Sequence, residues 1–358
     1  MAVTQLTPEI EFDEISDYSE VIKQLTKRST PMHLLLGNGF SMAYDHKIFS
    51  YNALYDFIES LDDQLLSKLF SLIKTKNFEL IMRQLDNFIE IAKSFGSDPK
   101  LVALLQAANG KLQTSLIDAV SKLHPDHVFE VPEEKSKACF DFIQAFLDQG
   151  GFVFSTNYDL LLYWVLMRNE SDKAGDGFGR DLENEDGLIQ GEDAEFSDLY
   201  WGKNRDTQTV FYLHGALPFF DTGYEIEKEV YTNRNYLLGN IKARLNRKDY
   251  PIFVTAGNGA EKLNHIVHNK YLNYCYESFC NATGSLVSFG FNFGEYDDHI
   301  IHAINKAARF RKGRDGKLYS VYIGVYSEAD LDHIKSVAHK FNCKLNVFSS
   351  RTANVWGK

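Results

Sequence analysis

Short apolar runs, each stopped by a glycine or a polar cluster, alternate along this chain with longer stretches whose apolar residues recur at helical spacing. The first run, Met32-His33-Leu34-Leu35-Leu36, halts at Gly37. Such a run predicts a buried parallel strand, because a strand covered on both faces loses the apolar–polar alternation of a half-exposed one. A short helix is predicted before it, over 18–27. After Ser50 the period lengthens: Leu54, Ile58, Leu61 and Leu65 form one set, Phe78, Ile81, Leu85, Phe88 and Ala92 a second, and residues 101–123 a third. The spacing predicts a helical block closed by His124-Pro125. A helix over 140–147, the Gly150-Gly151 break, a strand over 152–154 and a helix over 158–167 follow.

Residues 170–206 have no usable period and read as a long acidic surface loop. Beyond them the rhythm is regular. Strands are predicted over 210–213, 251–255, 285–289, 318–325 and 344–348, and helices over 261–280, 297–310 and 328–341, while 219–250 reads as charged helix. Strand–helix alternation of this kind predicts an α/β fold, a doubly wound parallel sheet of the Rossmann-like type. The expected organisation is an N-terminal lead-in (1–30) and a single sheet domain (31–358). That domain is interrupted by an inserted helical subdomain (51–130) and by the acidic loop (170–206).

Composition narrows the function classes. The net charge is −11, and 170–198 holds eleven acids against only Lys173 and Arg180, so the remainder is close to neutral. Gripping nucleic acid by its phosphates needs a basic face, so no direct nucleic-acid partner is expected. Cys139, Cys275, Cys280 and Cys343 are scattered without a CxxC pair, which fits a reducing compartment and no structural zinc. The first residues are acidic rather than basic and apolar, and no run approaches the length of a membrane span. A cytoplasmic protein with no membrane contact is expected.

Four polar signatures fall where predicted strands end. Gly37-Asn38-Gly39-Phe40-Ser41 follows the first strand, Ser155-Thr156-Asn157-Tyr158-Asp159 a later one, and His214-Gly215 a third. Gly290-Phe291-Asn292 closes a fourth and leads into Tyr296-Asp297-Asp298-His299. In a doubly wound sheet the ligand sits beyond the carboxyl ends of the strands, where glycines admit a phosphate to the backbone amides. Each signature also has a plain reading, as a tight turn, a helix cap or a structural histidine. The segment Gly37–Ser41 is GxGxS, not the GxGxxG of dehydrogenases, and the region about 20 residues on, around Glu59, where an acid at a strand end is expected, falls inside a predicted helix.

Taken in order, the four segments resemble the Sir2-like family over about residues 32–308. The whole chain is still more similar to a bacterial Sir2-like subgroup of the DUF4917 type, through Asn77-Phe78-Glu79, Tyr212-Leu213-His214-Gly215-Ala216 and Tyr296-Asp297-Asp298-His299-Ile300. Sirtuin deacylases carry a four-cysteine zinc module after the His-Gly; this chain has only Cys275 and Cys280 there, so a Cys₄ zinc site cannot be built. The resemblance implies a metal-free NAD⁺ hydrolase, with NAD⁺ as substrate, acting as an anti-phage defence effector. It implies silence until triggered, and a homo-oligomer, a partner defence protein that senses infection, or both.

On that resemblance Asn157 holds the ribose hydroxyls or the attacking water, His214 is the base, and Asp159 steadies positive charge or binds the carboxamide. Gly37, Asn38, Gly39, Phe40 and Ser41 line the pyrophosphate. Thr156 and Tyr158 flank Asn157, Gly290 and Asn292 take the adenosine side, and Thr255 and Gly257 are further strand-end candidates. Three alternatives stand beside it. The pocket could bind NAD⁺ or ADP-ribose without turnover and act as a sensor. Ser41, Asp159 and His214 could form a hydrolase triad, although GxSxG is absent. His124 and His127 could bind metal, although Pro125 and the want of a third ligand favour a helix stop.

Overall fold

The structure, a computed structural model, describes residues 3–46, 67–68, 71–72, 78–122, 124–184, 187–188, 192–195, 197–254, 258–310 and 316–357. Its strands, in chain order, are β1 (Ser16–Asp17), β2 (Met32–Leu36), β3 (Val153–Ser155), β4 (Phe178–Arg180), β5 (Glu183–Asn184), β6 (Gly187–Leu188) and β7 (Leu199–Trp201). They continue with β8 (Val210–Tyr212), β9 (Gly215–Asp221), β10 (Ile226–Lys228), β11 (Pro251–Phe253), β12 (Gly284–Phe289), β13 (Leu318–Val325) and β14 (Lys344–Ser349).

Seven of these form one sheet in the order β1-β14-β13-β12-β2-β3-β8, with every neighbouring pair parallel. Leave aside the edge strand β1. The chain then builds outward from β2 through β3 to β8, returns to the other side of β2, and builds outward again through β12, β13 and β14. That is the doubly wound order of the Rossmann-like folds, and its direction reverses between β2 and β12. Both central strands are buried along their whole length, which is why they read as apolar runs. Helices flank the sheet. The helix Glu133–Asp148 presents Cys139, Phe142, Ile143, Phe146 and Leu147 inward at helical spacing. Asp298–Ala308 does the same with Ile300, Ile301, Ile304 and Ala307 and packs against Lys270–Cys280.

Several expectations need correction. The stretch 170–206 is not one long loop: β4 and β7 pair within it, and β7 continues to β10, β9 and β11 in a five-stranded antiparallel sheet. Two- and three-residue strands stabilised by distant partners leave no local period to read. Asp176, within that stretch, is held by Lys228 of β10 through a buried ion pair at 2.6 Å. The predicted charged helix over 219–250 is β9, β10 and a helix confined to Leu237–Asn246. The strand expected over 251–255 is β11, which belongs to this second sheet and not to the parallel one. The helix expected over 261–280 is two, Gly259–His268 and Lys270–Cys280, separated where the Asn269 side chain caps the second. The lead-in is drawn into the sheet, since β1 pairs with β14. Of the expected helical insertion, Phe78–Ser94 and Pro99–Lys122 pack on each other; Leu54 to Leu65 lie outside the described residues.

Two histidines of the frame are used as neutral rings. His33 donates from Nε2 to the Thr283 carbonyl at 2.7 Å and accepts at Nδ1 from the Phe152 amide at 2.9 Å. His124 accepts at Nε2 from the Leu160 amide at 2.9 Å and packs edge-on against Trp164. Burial lowers each from 6.5 to about 4. The unfolded chain therefore binds more protons than the native one between about 6.5 and about 4, so their stabilising contribution is present above 6.5 and is lost as the pH falls towards 4. Denaturant titrations from pH 7.5 to 4.5 are expected to show falling stability below 6.5, with a shallower decline in His33→Gln; a pH-independent midpoint in the parent would refute this assignment.

Candidate functional site at the strand ends

The site begins with a backbone contact at the point where the strand order reverses. Gly37 donates its amide to Phe289 O at 3.0 Å, and Gly39 donates to Gly290 O at 2.8 Å. A Cβ at Gly37 would stand 2.5 Å from Gly290 O, and one at Gly39 2.6 Å from Gly290 Cα. Gly290 has φ +69°, and its own Cβ would meet Phe40 N at 2.5 Å. Only glycine fits at these positions. The close approach that the glycines permit is therefore between two strand ends, and two of the amides expected to face pyrophosphate are spent on it.

This contact starts the helix Asn38–Tyr44 at the end of β2. Phe40 is a core residue whose ring packs at a tilt against Trp356, with centroids 5.1 Å apart, and the Trp356 indole N–H donates to the Phe40 carbonyl at 2.8 Å. One residue on, Ser41 is fully buried and meets the end of β3. Its hydroxyl donates to Asp159 Oδ2 at 2.5 Å and accepts from Asn157 Nδ2 at 2.8 Å. The Leu161 amide donates to the other Asp159 oxygen at 2.9 Å. Burial pushes the Asp159 carboxyl above the usual range, and the hydrogen bonds from Ser41 and Leu161 oppose the rise. Every group facing Asp159 here is a donor, which is the pattern an ionised carboxylate requires.

His214 stands at the end of the neighbouring strand. Because β3 and β8 pair with Ser155 opposite Tyr212, the segments 156–158 and 213–215 leave the sheet side by side. Leu213 N donates to Ser155 O and Leu217 N to Tyr158 O, both at 2.8 Å. The His214 ring is hydrogen-bonded to the Thr156 backbone, and its Nε2 lies 2.8 Å from Nε2 of His299. Burial first, then His299 and Lys262, lower its pKa well below 6.5. Gly215 has φ +78°, and a Cβ there would fall 1.9 Å from Ile252 O. The glycine after the histidine is thus where the chain turns from the parallel sheet into the antiparallel one.

The expected site residues fall into three groups. Ser41, Asn157 and Asp159 form one hydrogen-bonded cluster, and His214 adjoins it through Thr156. Gly37, Gly39, Phe40 and Gly290 are scaffold. Asn38 is half-buried, with its amide on Met42 Sδ at 3.2 Å; Thr156 donates from N and Oγ1 to Leu36 O; Tyr158 packs on Phe253. Asn292 is exposed and accepts from Gly294 N at 3.0 Å. Thr255 and Gly257 lie outside the described residues. No Ser–His–Asp triad is assembled, since Ser41 bonds Asp159 directly while His214 Nε2 faces His299. His124 and His127 share no ligand set, and no group of three or more His, Cys, Asp or Glu among the described residues could hold a metal.

Two residues of the site escaped the sequence reading. Lys262, on the helix Gly259–His268, is 1% exposed and donates to Asp297 Oδ1 at 2.8 Å. The signal was faint: a lysine four positions before Ile266, on the helix's buried face. His299 sits in the quoted segment 296–300 but gives no sign in sequence that it meets His214. Asp297 makes no side-chain cap bond to the helix that follows it and pairs with Lys262 instead.

The family description "Domain of unknown function (DUF4917)" matches residues 34–356. The chain belongs to the DUF4917 family. The match starts inside β2 and ends at Trp356, so this DUF4917 region contains the entire cluster together with the tryptophan that anchors its first helix. No curated protein matches the chain.

The glycine contact of this DUF4917 chain is testable. Gly290→Ala is expected to cost ~2 kcal/mol or more, from clash and positive φ together. Gly150 has nearly the same φ, +68°, but no atom lies within 4 Å of where a Cβ would stand, so Gly150→Ala reports the backbone strain alone. Equal denaturation midpoints for the two variants would show that the strand-end contact contributes nothing.

Proposed function

We propose that this chain binds NAD⁺ over the carboxyl ends of β2, β3 and β8 and hydrolyses its nicotinamide–ribose bond. The observation that carries the reading is the convergence of Ser41, Asn157, Asp159 and His214 from three separate strand ends of a Rossmann-like sheet, beside the point where strand order reverses. Ligands of such sheets sit at that point. The order of motifs resembles the Sir2-like family, and the chain lacks the cysteines of that family's zinc module.

The chemistry asks little of the protein as an acid. Nicotinamide leaves as a neutral molecule with the electrons of the broken bond, and positive charge develops on the ribose. The Asp159 carboxylate opposes that charge. Asn157, aimed by its bond to Ser41, orients a ribose hydroxyl or the attacking water. Water oxygen forms the new bond to the anomeric carbon and loses a proton. His214 is a weak base: once its Nε2 turns away from His299 it accepts a hydrogen bond from that water, and it takes the proton only as the oxygen becomes acidic in the transition state. The products are nicotinamide and ADP-ribose. In the cell the activity is that of an anti-phage effector that depletes NAD⁺ when triggered, within a homo-oligomer or beside a partner that senses infection.

One observation favours a second reading. His214 Nε2 already faces His299, and the hydroxyl of Ser41 is committed to Asp159. A site whose polar atoms are paired internally suits a protein that binds NAD⁺ or ADP-ribose without turning it over.

NAD⁺ and nicotinamide measured in cells carrying the intact locus, before and after phage challenge, separate the two. Loss of NAD⁺ with matching nicotinamide release is expected for the parent. His214→Ala and Asn157→Ala are each expected to reduce it ~100-fold or more while the purified variants keep the parent's circular dichroism. Undiminished NAD⁺ loss in both variants would remove the assignment, and binding with no loss under challenge would establish the sensor reading.

A further inference from the structure

Nε2 of His214 and Nε2 of His299 lie 2.8 Å apart, and the two residues are 4% and 2% exposed. At that separation one proton lies between the nitrogens, because two N–H groups would collide and two lone pairs would repel. Whichever ring owns the proton, Nε2 of His214 is closed to a third group. It is either protonated already or accepting from His299, and an extra proton on either ring leaves this unchanged. A water or a ligand hydroxyl reaches that nitrogen only after the two rings part.

The backbones on both sides are held. The His214 carbonyl accepts from the Val254 amide at 2.9 Å, and Leu213 N donates to Ser155 O at 2.8 Å. The His299 carbonyl accepts from the Tyr276 hydroxyl at 3.0 Å. The two residues before His299 are tied as well, Asp297 to Lys262 at 2.8 Å and Asp298 to Lys340 at 2.7 Å. Gly259 stands so close that a Cβ on it would lie 3.1 Å from Asp298 Cβ. Neither the strand end nor the helix start draws back easily, so the contact opens by rotation of a side chain. His299 is the ring with less to lose. Its Nδ1 is buried without a hydrogen-bond partner, so among the described residues its ring gives up only the bond to His214. A buried polar atom left unpaired needs an explanation, and a ring that takes a second position when a ligand arrives supplies one.

We infer that His299 stands in for a ligand at His214: its imidazole is an internal competitor for the hydroxyl or water that His214 is to bind, and ligand binding turns it aside. The identity of the ligand rests on the proposed NAD⁺ reading. Displacing the ring lowers the ligand's apparent affinity by the fraction of molecules in which the contact is open. One ordinary hydrogen bond sets that factor on the order of tenfold.

ADP-ribose is the probe, since its anomeric hydroxyl carries the oxygen that water supplies in the proposed reaction and it has no nicotinamide to lose. An N–H···N bond between two imidazoles couples its two nitrogens magnetically, so nitrogen-15 spectra of the full chain with labelled histidine read the contact directly. The ligand-free parent is expected to show coupling between His214 and His299, and to lose it on saturation with ADP-ribose. Calorimetric titration is expected to give His299→Ala, which has no ring to displace, an affinity for ADP-ribose about tenfold above the parent's. Removing a side chain that only supports the fold would leave that affinity unchanged or weaken it. Absence of the coupling in the ligand-free parent, its persistence at saturation, or a His299→Ala variant that binds no more tightly each overturns the inference. Should His299→Ala not fold, the two parent spectra decide. Failure of ADP-ribose to bind either protein removes the NAD⁺ reading, and the inference falls with it; binding with an undisturbed coupling removes the inference alone.

Discussion

The site depends on how closely the ends of β2 and β12 approach each other. Two amide–carbonyl bonds, Gly37 to Phe289 and Gly39 to Gly290, join strands that belong to opposite halves of the sheet. They form only because three positions carry no side chain. Once made, they set where the helix Asn38–Tyr44 begins, and so bring the Ser41 hydroxyl to the end of β3. A looser junction would move Ser41 away from Asn157 and Asp159 and take apart the cluster that its hydroxyl joins. The constraint is steric and electrostatically cheap, and it organises a polar cluster that would be expensive to bury unpaired.

The second half of the site depends on a change of sheet. The chain leaves β8, passes His214, and at Gly215 turns into β9 of the antiparallel layer. His214 therefore sits on a corner held from both sides, by the Thr156 backbone of the parallel sheet and by Val254, whose amide donates to its carbonyl at 2.9 Å. Lys262, Asp297 and His299 close over it from two helices that approach where Gly259 stands against Asp298. The ring is thereby placed among groups from four parts of the chain, and burial among them disfavours its protonation.

Much of the frame was legible because its signals are local. A buried strand is a short apolar run wherever it occurs, and Met32–Leu36, 285–289 and 318–325 were found from that alone. Polar residues at strand ends were also legible, and Ser41, Asn157 and Asp159 do form one cluster. What escaped depends on partners far away in sequence. Strands β4 and β7 within 170–206 join a larger sheet because β10 pairs with β7, not because of any pattern in the acidic stretch. Lys262 is invisible as a site residue because a lysine on a helix reads as solvent-facing until Asp297 is known to be opposite. The role of the glycines was legible in kind but not in object: the sequence marks a close approach without saying what approaches.

Trp356 reaches back to the turn between β2 and the helix Asn38–Tyr44. Its indole hydrogen-bonds the Phe40 carbonyl, and its ring packs on Phe40 and Tyr44, the residues on either side of Ser41 in that helix. Trp356 is thus a latch on the helix that carries Ser41, more than 300 residues downstream of that helix by chain and adjacent in space. A binding partner that draws the segment around Trp356 outward would be felt at Ser41 without any contact with the strand ends themselves.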